Sequence, residues 1–247
     1  MHLQKTMIVT LVLVAMALAC SEEDSTPTSS DIDRVDGSGV IANEERSVES
    51  FHSLTMNAVG HVNITQGTPP SLALSVDDNI LPLITTQVSS GTLVISEAPG
   101  YDLNNYDLTV NVTMSNVRNL NVSGAGSITA VNQLEADELN LMVDGVGTVY
   151  LGLDVDHVTT AVAGVATIMM EGSATRHNCS FTGIGNLNAF GLSTDTTHVI
   201  ITGEGEAYVT VSQFLRVLIA GVGTVRYYGQ PTIDQTITGS GQVTPGP

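Results

Sequence analysis

Residues Asn121–Ala130 read NVSGAGSITA: a strand-like alternation of Val122 and Ile128 that is interrupted by Gly124 and Gly126. Glycine weakens a strand interior because it costs backbone entropy and packs nothing, so a pair of glycines marks a bulge, a bend or a close backbone approach. The motif recurs as SGAG from Ser123, DGVG from Asp144, AGVA from Ala163, TGIG from Thr182, TGEG from Thr202, AGVG from Ala220 and TGSG from Thr238. Successive first glycines are 21, 19, 19, 20, 18 and 18 residues apart. Two residues before each first glycine stands Val122, Val143, Val162, Phe181, Ile201, Ile219 or Ile237; four after it stands Ile128, Val149, Ile168, Leu187, Ala207, Val225 or Val243. All of these positions share one parity, the period-2 signature of strands with one buried face.

A near-constant period of about 18–21 residues, built from strand alternation alone, suits a solenoid in which each repeat is one coil stacked on the next. The leucine and asparagine positions of leucine-rich repeats are absent, and the nine-residue period of calcium-binding β-rolls does not fit. The expected fold is therefore all-β, a right-handed parallel β-helix-like solenoid. Its glycine ladder comprises Gly124, Gly126, Gly145, Gly147, Gly164, Gly183, Gly185, Gly203, Gly205, Gly221, Gly223, Gly239 and Gly241. Hairpin turns of an antiparallel meander also use G-x-G, but they do not hold one spacing through seven repeats.

The first 31 residues set a different expectation. Lys5, the apolar run Met7–Leu18 and Ala19 form a signal peptide over residues 1–19, too short to span a bilayer comfortably. Ala17-Leu18-Ala19-Cys20 resembles a lipoprotein lipobox, with leucine and the small residue exchanged relative to the usual order. Cys20 is then the expected lipid-attachment residue. The run Ser21-Glu22-Glu23-Asp24 resembles a surface-export signal of Bacteroidetes-type lipoproteins, against the alternative of a solvated linker. Residues 20–39 read as a flexible acidic Ser/Thr tether, which would hold a domain at a membrane without entering it.

Beyond Cys20, six arginines face 25 acids and no lysine, a balance of about −19. Nucleic acid is excluded as a partner, since phosphate contacts need clustered basic side chains. With Cys20 acylated, Cys179 has no disulfide partner and reads as a small buried hydrophobe.

Residues 40–117 are β-rich without the ladder and read as the part that caps or starts the solenoid; 40–243 is one domain, and 244–247 a tail. Between Pro99 and Pro231 there is no proline, as a long run of paired strands requires. The order ERSVESF, HVNITQG, VDDNILPLI, SSGTLVI, LTVNVTM and NLNVSGAG, followed by repeated x-G-x-G, resembles the bacterial family of autotransporter-adhesin head GIN domains across roughly Val40–Val243. Ala166 in the third repeat and Glu204 in the fifth depart from its glycine pattern. The resemblance implies a β-helix-like fold and a role in adhesion.

Catalytic constellations are sparse. Asp154 and Asp156 share a face, as do Asp31 and Asp33, and Asp77-Asp78-Asn79 forms an acidic turn. A lyase acting on acidic sugars also wants a basic residue beside its acids, and Arg176, Arg216 and Arg226 stand at unequal offsets from their glycines, so convergence is not expected. The histidines at 52, 61, 157, 177 and 198 form no zinc-type spacing, and Asp154-Val-Asp156-His157 would need ligands from a neighbouring coil. No cofactor or metal site is expected. Tyr208, Arg226, Tyr227 and Tyr228 form the candidate binding surface, with packing at the C-terminal end as the alternative use of these rings. The expected protein is a non-catalytic outer-membrane lipoprotein, surface-exposed, presenting a repetitive wall to an extracellular glycan or protein. A carbohydrate-active enzyme and a periplasm-facing envelope protein are the alternatives.

Overall fold

A computed structural model describes residues 32–246. The signal peptide, Cys20, the acidic run behind it and Asp31 lie outside the described residues. In chain order the strands are β1 (Asp33–Asp36), β2 (Ile41–Arg46), β3 (Ser53–Met56), β4 (Gly60–Gln66), β5 (Ser71–Asp77), β6 (Ile84–Ser89), β7 (Thr92–Glu97), β8 (Tyr101–Asn104), β9 (Thr109–Met114) and β10 (Asn119–Val122). They continue as β11 (Ala125–Ala130), β12 (Leu134–Val143), β13 (Val146–Val162), β14 (Val165–Phe181), β15 (Ile184–Ile201), β16 (Glu204–Ile219), β17 (Val222–Tyr228), β18 (Thr232–Ile237) and β19 (Ser240–Pro245). One 3-10 turn, Leu81–Leu83, interrupts this all-β order.

From β10 onward every pairing is parallel and stacks each repeat on the one before it. The result is a β-solenoid of about seven turns. The parity read from the sequence is the parity of the core. Val122, Val143, Val162, Phe181, Ile201 and Ile219 lie in register as one buried column, and Ile128, Val149, Ile168, Leu187, Ala207 and Val225 as another. Apolar burial of this kind contributes roughly 1.5–3 kcal/mol per large side chain.

The two glycines of each repeat answer to different neighbours. A Cβ on Gly145, Gly164, Gly183, Gly203, Gly221 or Gly239 would run into the carbonyl oxygen of the first glycine one coil below. That carbonyl is in use: those of Gly124, Gly145, Gly164, Gly183, Gly203 and Gly221 accept the N–H of Val146, Val165, Ile184, Glu204, Val222 and Ser240 at 2.9–3.0 Å. None of these glycines has a positive φ, so close approach along the stacking axis, and not handedness, requires them. The second glycines differ among themselves: a Cβ on Gly126, Gly205, Gly223 or Gly241 would also run into the carbonyl oxygen of the glycine one coil below, whereas Gly147 and Gly185 answer to side chains of the lumen. A Cβ on Gly185 would lie 2.6 Å from the Phe181 ring, whereas one on Gly147 would sit 3.2 Å from Val122 and Val143. Ala166, in register between Gly147 and Gly185, shows that this second position accepts a methyl group.

Residues 40–117 hold a ladder coil that the sequence period does not reveal. Gly60 pairs with Gly126, Met56 with Val122 and Val62 with Ile128, so Asn57-Ala58-Val59-Gly60 is one more corner of the stack, with alanine at the first glycine position. Coil order departs from chain order here. β7 and β9 lie beneath β3 and β4, while β10 and β11 lie above them, so the chain passes over its own first coil. Antiparallel strands then close that end: β5 on β9, β2 on β5 and β6 on β7. β2 presents Glu44, Glu45 and Arg46 along its edge, charges that discourage further pairing.

Two boundaries differ from those read in the sequence. The last part of the expected tether is ordered, because β1 pairs in parallel with β8 and the acidic turn clamps residues 36–39 just beyond it. Ser38 Oγ donates to Asp78 at 2.6 Å, Asn79 Nδ2 donates to the Asp36 carbonyl at 2.9 Å, and the buried Asp77 carboxylate accepts the Gly39 N–H. At the other end, β19 extends through Pro245 into the expected tail.

A group of buried polar side chains, Thr160, His177, Thr194 and Thr197, enters the solenoid core across three successive coils. His177 is fully buried in register between Val158 and Thr197; its Nε2 lies 3.1 Å from Thr160 Oγ1, while Nδ1 has no partner. Thr194 donates to the Thr210 carbonyl and so accepts from Thr197. Cys179 is buried two residues beyond His177, and desolvation pushes its thiol pKa up.

The core yields two tests. Gly145→Ala is expected to destabilise by about 3 kcal/mol or more, and Gly147→Ala by less than about 1.5 kcal/mol, in urea unfolding; equal losses would contradict the division of roles between the glycines. Burial lowers the His177 pKa to about 4 from its ordinary 6.5. The unfolded chain therefore binds the extra proton between these values, and stability present above pH 6.5 falls as pH drops toward 4, by on the order of 3 kcal/mol. His177→Val, matching the Val158 beneath it, should flatten that part of the pH profile; an unchanged slope would assign the acid sensitivity elsewhere.

Candidate functional site

Opposite in character to the glycine corner is a second corner, where strand pairing lapses. Parallel pairing is registered at Val155 with Ala174 and resumes at His157 with Arg176, leaving Asp156 and Thr175 out; one coil up, Thr175 and Asp195 are left out in the same way. Asp137 and Asp156 are the matching gap one coil down. The wall folds inward there and forms a cavity of about 1110 Å³. Its floor is Val117, Ala136, Val155, Ala174 and Thr194, and its rim carries Glu135, Asp137, Glu138, Asp154, Asp156 and Asp195 with Ser173, Thr175, Ser193 and Ser212. Arg118 is the one cation among the lining residues.

Serine hydroxyls hold two of these carboxylates. Ser173 Oγ donates to Asp154 at 2.8 Å and Ser212 Oγ donates to Asp195 at 2.9 Å, each across one coil. The groove therefore presents a negative field over a pre-formed row of acceptors, suited to amines and hydroxyls arranged along a line. Asp154 and Asp156, paired by sequence reasoning, both line it, while His157 lies beside it in the column of Arg176. Among the described residues, no group of three or more His, Cys, Asp or Glu side chains is placed to hold a metal ion.

The arginines converge more than their sequence offsets suggest. Arg176 and Arg216 both act on His198, whose pKa is lowered by desolvation and then by these two charges. Arg216 lies over the Phe214 ring at 5.7 Å and bonds Asp234 through Nε and Nη2, each at 2.9 Å. Their offsets differ because they occupy neighbouring columns of one face, Arg176 in register with Thr196 and Phe214, and Arg216 with His198 and Asn178. Arg226 stands apart, paired in register with Tyr208 on the outer face.

The expected aromatic surface is divided. Tyr227 packs partly buried against the core. Tyr208 and Tyr228 instead meet Phe190, with ring centroids at 5.2 and 4.2 Å. The Tyr208 hydroxyl donates to Glu206 at 2.6 Å, which raises its pKa. Phe190 was missed because it sits where the pairing of β15 with β16 slips, so no constant offset from a glycine finds it. A further feature is the residue between the paired glycines. Val146, Val165, Ile184 and Val222 are 44–58% exposed and, with Glu204 between the last two, form an outward column. Beside it runs a shallow groove of about 540 Å³ over Thr167, Asn186, Glu206 and Thr224.

The family described as "Putative auto-transporter adhesin, head GIN domain" matches residues 50–231. Among solved structures, a "putative adhesin" from Bacteroides fragilis has TM-score 0.82 at 24% identity, covering 85% of this chain and 99% of that one. A "putative lipid binding protein" from Parabacteroides distasonis has TM-score 0.69 at 21% identity, covering 87% of this chain and 100% of that one. A "putative adhesin" from Parabacteroides merdae has TM-score 0.68 at 23% identity with the same coverage. At these identities the likeness is one of fold. No curated protein matches the chain. With a match over most of its length and a solenoid in the same class as these structures, the chain belongs to the auto-transporter adhesin head GIN domain family.

Proposed function

We propose that this chain is a non-catalytic adhesin module, anchored through lipidated Cys20 in the outer membrane and displayed at the cell surface, which grips an extended ligand along its acidic corner groove. The observation that carries the reading is the groove itself. It runs across six successive coils, roughly 24 Å at the spacing of neighbouring strands, with carboxylates at the levels of Glu135, Asp154 and Asp195 and hydroxyls at those of Ser173, Ser193 and Ser212. Weak polar contacts at successive coils sum through effective concentration, so a linear glycan or peptide bearing amines and hydroxyls is held although each contact is small.

Several features support binding over catalysis. Two rim carboxylates are engaged by serine hydroxyls, and the single lining guanidinium, Arg118, stands at the lower end of the groove. The core groups with strongly shifted pKa values, His177 and Cys179, are sealed inside the wall and not open to the groove. A family of adhesins supports the surface placement, and the lipobox-like Ala17-Leu18-Ala19-Cys20 supports the anchor.

Protease treatment of intact cells is expected to release peptides from 143–216, and Cys20→Ala to move the protein out of the membrane fraction. Release only after rupture would overturn surface display. In binding to arrayed glycans and basic peptides, the combined Asp137→Asn, Asp156→Asn and Asp195→Asn variant should lose about tenfold or more of its apparent affinity, with the wild-type signal falling as salt is raised. An unchanged signal would remove the groove as the binding site.

A further inference from the structure

The two ends of the solenoid are built differently. At one end β2, β5 and β6 close the stack in antiparallel pairing, and β1 lies there beside β8. At the other, β18 pairs only with β16 and β19 only with β17 among the described residues, so each offers one free edge of backbone N–H and C=O groups. The core columns stop there as well. Ile233 and Ile237 continue the inward positions of Leu215 and Ile219, yet they are 36% and 38% exposed because none of the described coils covers them.

We propose that two copies of this chain join at this end, β18 to β18 in antiparallel pairing, around a two-fold axis. The occupant follows from charge and geometry. In a chain of net charge −18, residues 227–247 contain one acidic side chain, Asp234, and Arg216 already neutralises it. This is the face that an identical, strongly acidic molecule approaches without repulsion. A cationic partner would be drawn to the groove instead, and the capped end of another copy offers no parallel coil to continue the stack. Of the two free edges, β18 is the one suited to pairing: all six of its residues are exposed and none is proline, so no N–H is missing from its open edge, whereas β19 contains Gly241 and ends at Pro245. A two-fold contact is self-complementary and closes at two copies, and it also brings Ile233 and Ile237 of both copies over the open ends of the cores.

The dimer stands on the edge alone; what it does rests on the surface-anchored reading above. β1 stands at the capped end of each copy, so the joined pair points its two β1 strands away from each other. That arrangement links two cells, with a second copy of the same chain as the ligand of the tip.

Sedimentation equilibrium of the full chain in density-matched detergent tests the contact. The wild type should sediment at twice the mass of the chain at micromolar concentration. Gln235→Lys, at the inward position between Ile233 and Ile237 that is exposed in a single copy, brings two lysines together beside the two-fold over the joined cores and should weaken association about tenfold or more. Gln87→Lys, on the edge strand β6 of the capped end, should leave the dimer intact. A monomeric wild type, a dimer that survives Gln235→Lys, or a dimer lost equally in Gln87→Lys would each overturn the proposal. Cell clumping lost with Gln235→Lys while protease release persists supports the linking role. A dimer with release only after rupture would sink surface display and leave the contact standing.

Discussion

Everything in this solenoid depends on one close approach. At each glycine corner the chain turns with its backbone against the carbonyl of the coil below, which is itself bonded to the next N–H above. With no Cβ in the way, each coil sits directly on its predecessor, and the two apolar columns fall into register for their whole length. A side chain at that point would push one coil off another and misalign both columns at once. The second glycine is a lesser constraint of volume at Gly147, and Ala166 occupies that position without disturbing the stack, whereas Gly126, Gly205, Gly223 and Gly241 repeat the backbone constraint.

Tight stacking at one corner leaves the other free to vary. Because the glycine corner sets the register, pairing can lapse at Asp137, Asp156, Thr175 and Asp195 without unstacking the wall. Those side chains project around a concave surface that no packing demand governs, so polar residues accumulate there at no cost to the core. Scaffold and groove thus occupy opposite demands on the same coil.

Charge and the ends of the stack form a second pairing of opposites. Acids are spread over groove, ladder and capped end, while the far end is almost uncharged and its last strands are paired on one side only among the described residues. The antiparallel cap protects one edge in the way natural sheets commonly do, by reversing strand direction and placing charge on the outermost strand.

Period and parity were properties of the sequence itself: a glycine pair every 18–21 residues with apolar residues at fixed even offsets allows only a stack of β coils, since local strand chemistry repeats wherever the coil repeats. The same residues named the core, and the paired aspartates at 154 and 156 lay in the groove. What the period could not carry, the tertiary structure decided. The Met56–Val62 coil escaped because its partner is 66 residues away and alanine fills its first glycine position. Phe190 was hidden by a bulge that breaks constant offsets, and the convergence of Arg176 with Arg216 by their standing in neighbouring columns two coils apart, which meet only at His198. The ordered end of the tether came from Asp77, Asp78 and Asn79 reaching back some 40 residues. Each of these is a contact between segments whose separation follows no repeat, so only the folded chain brings them together.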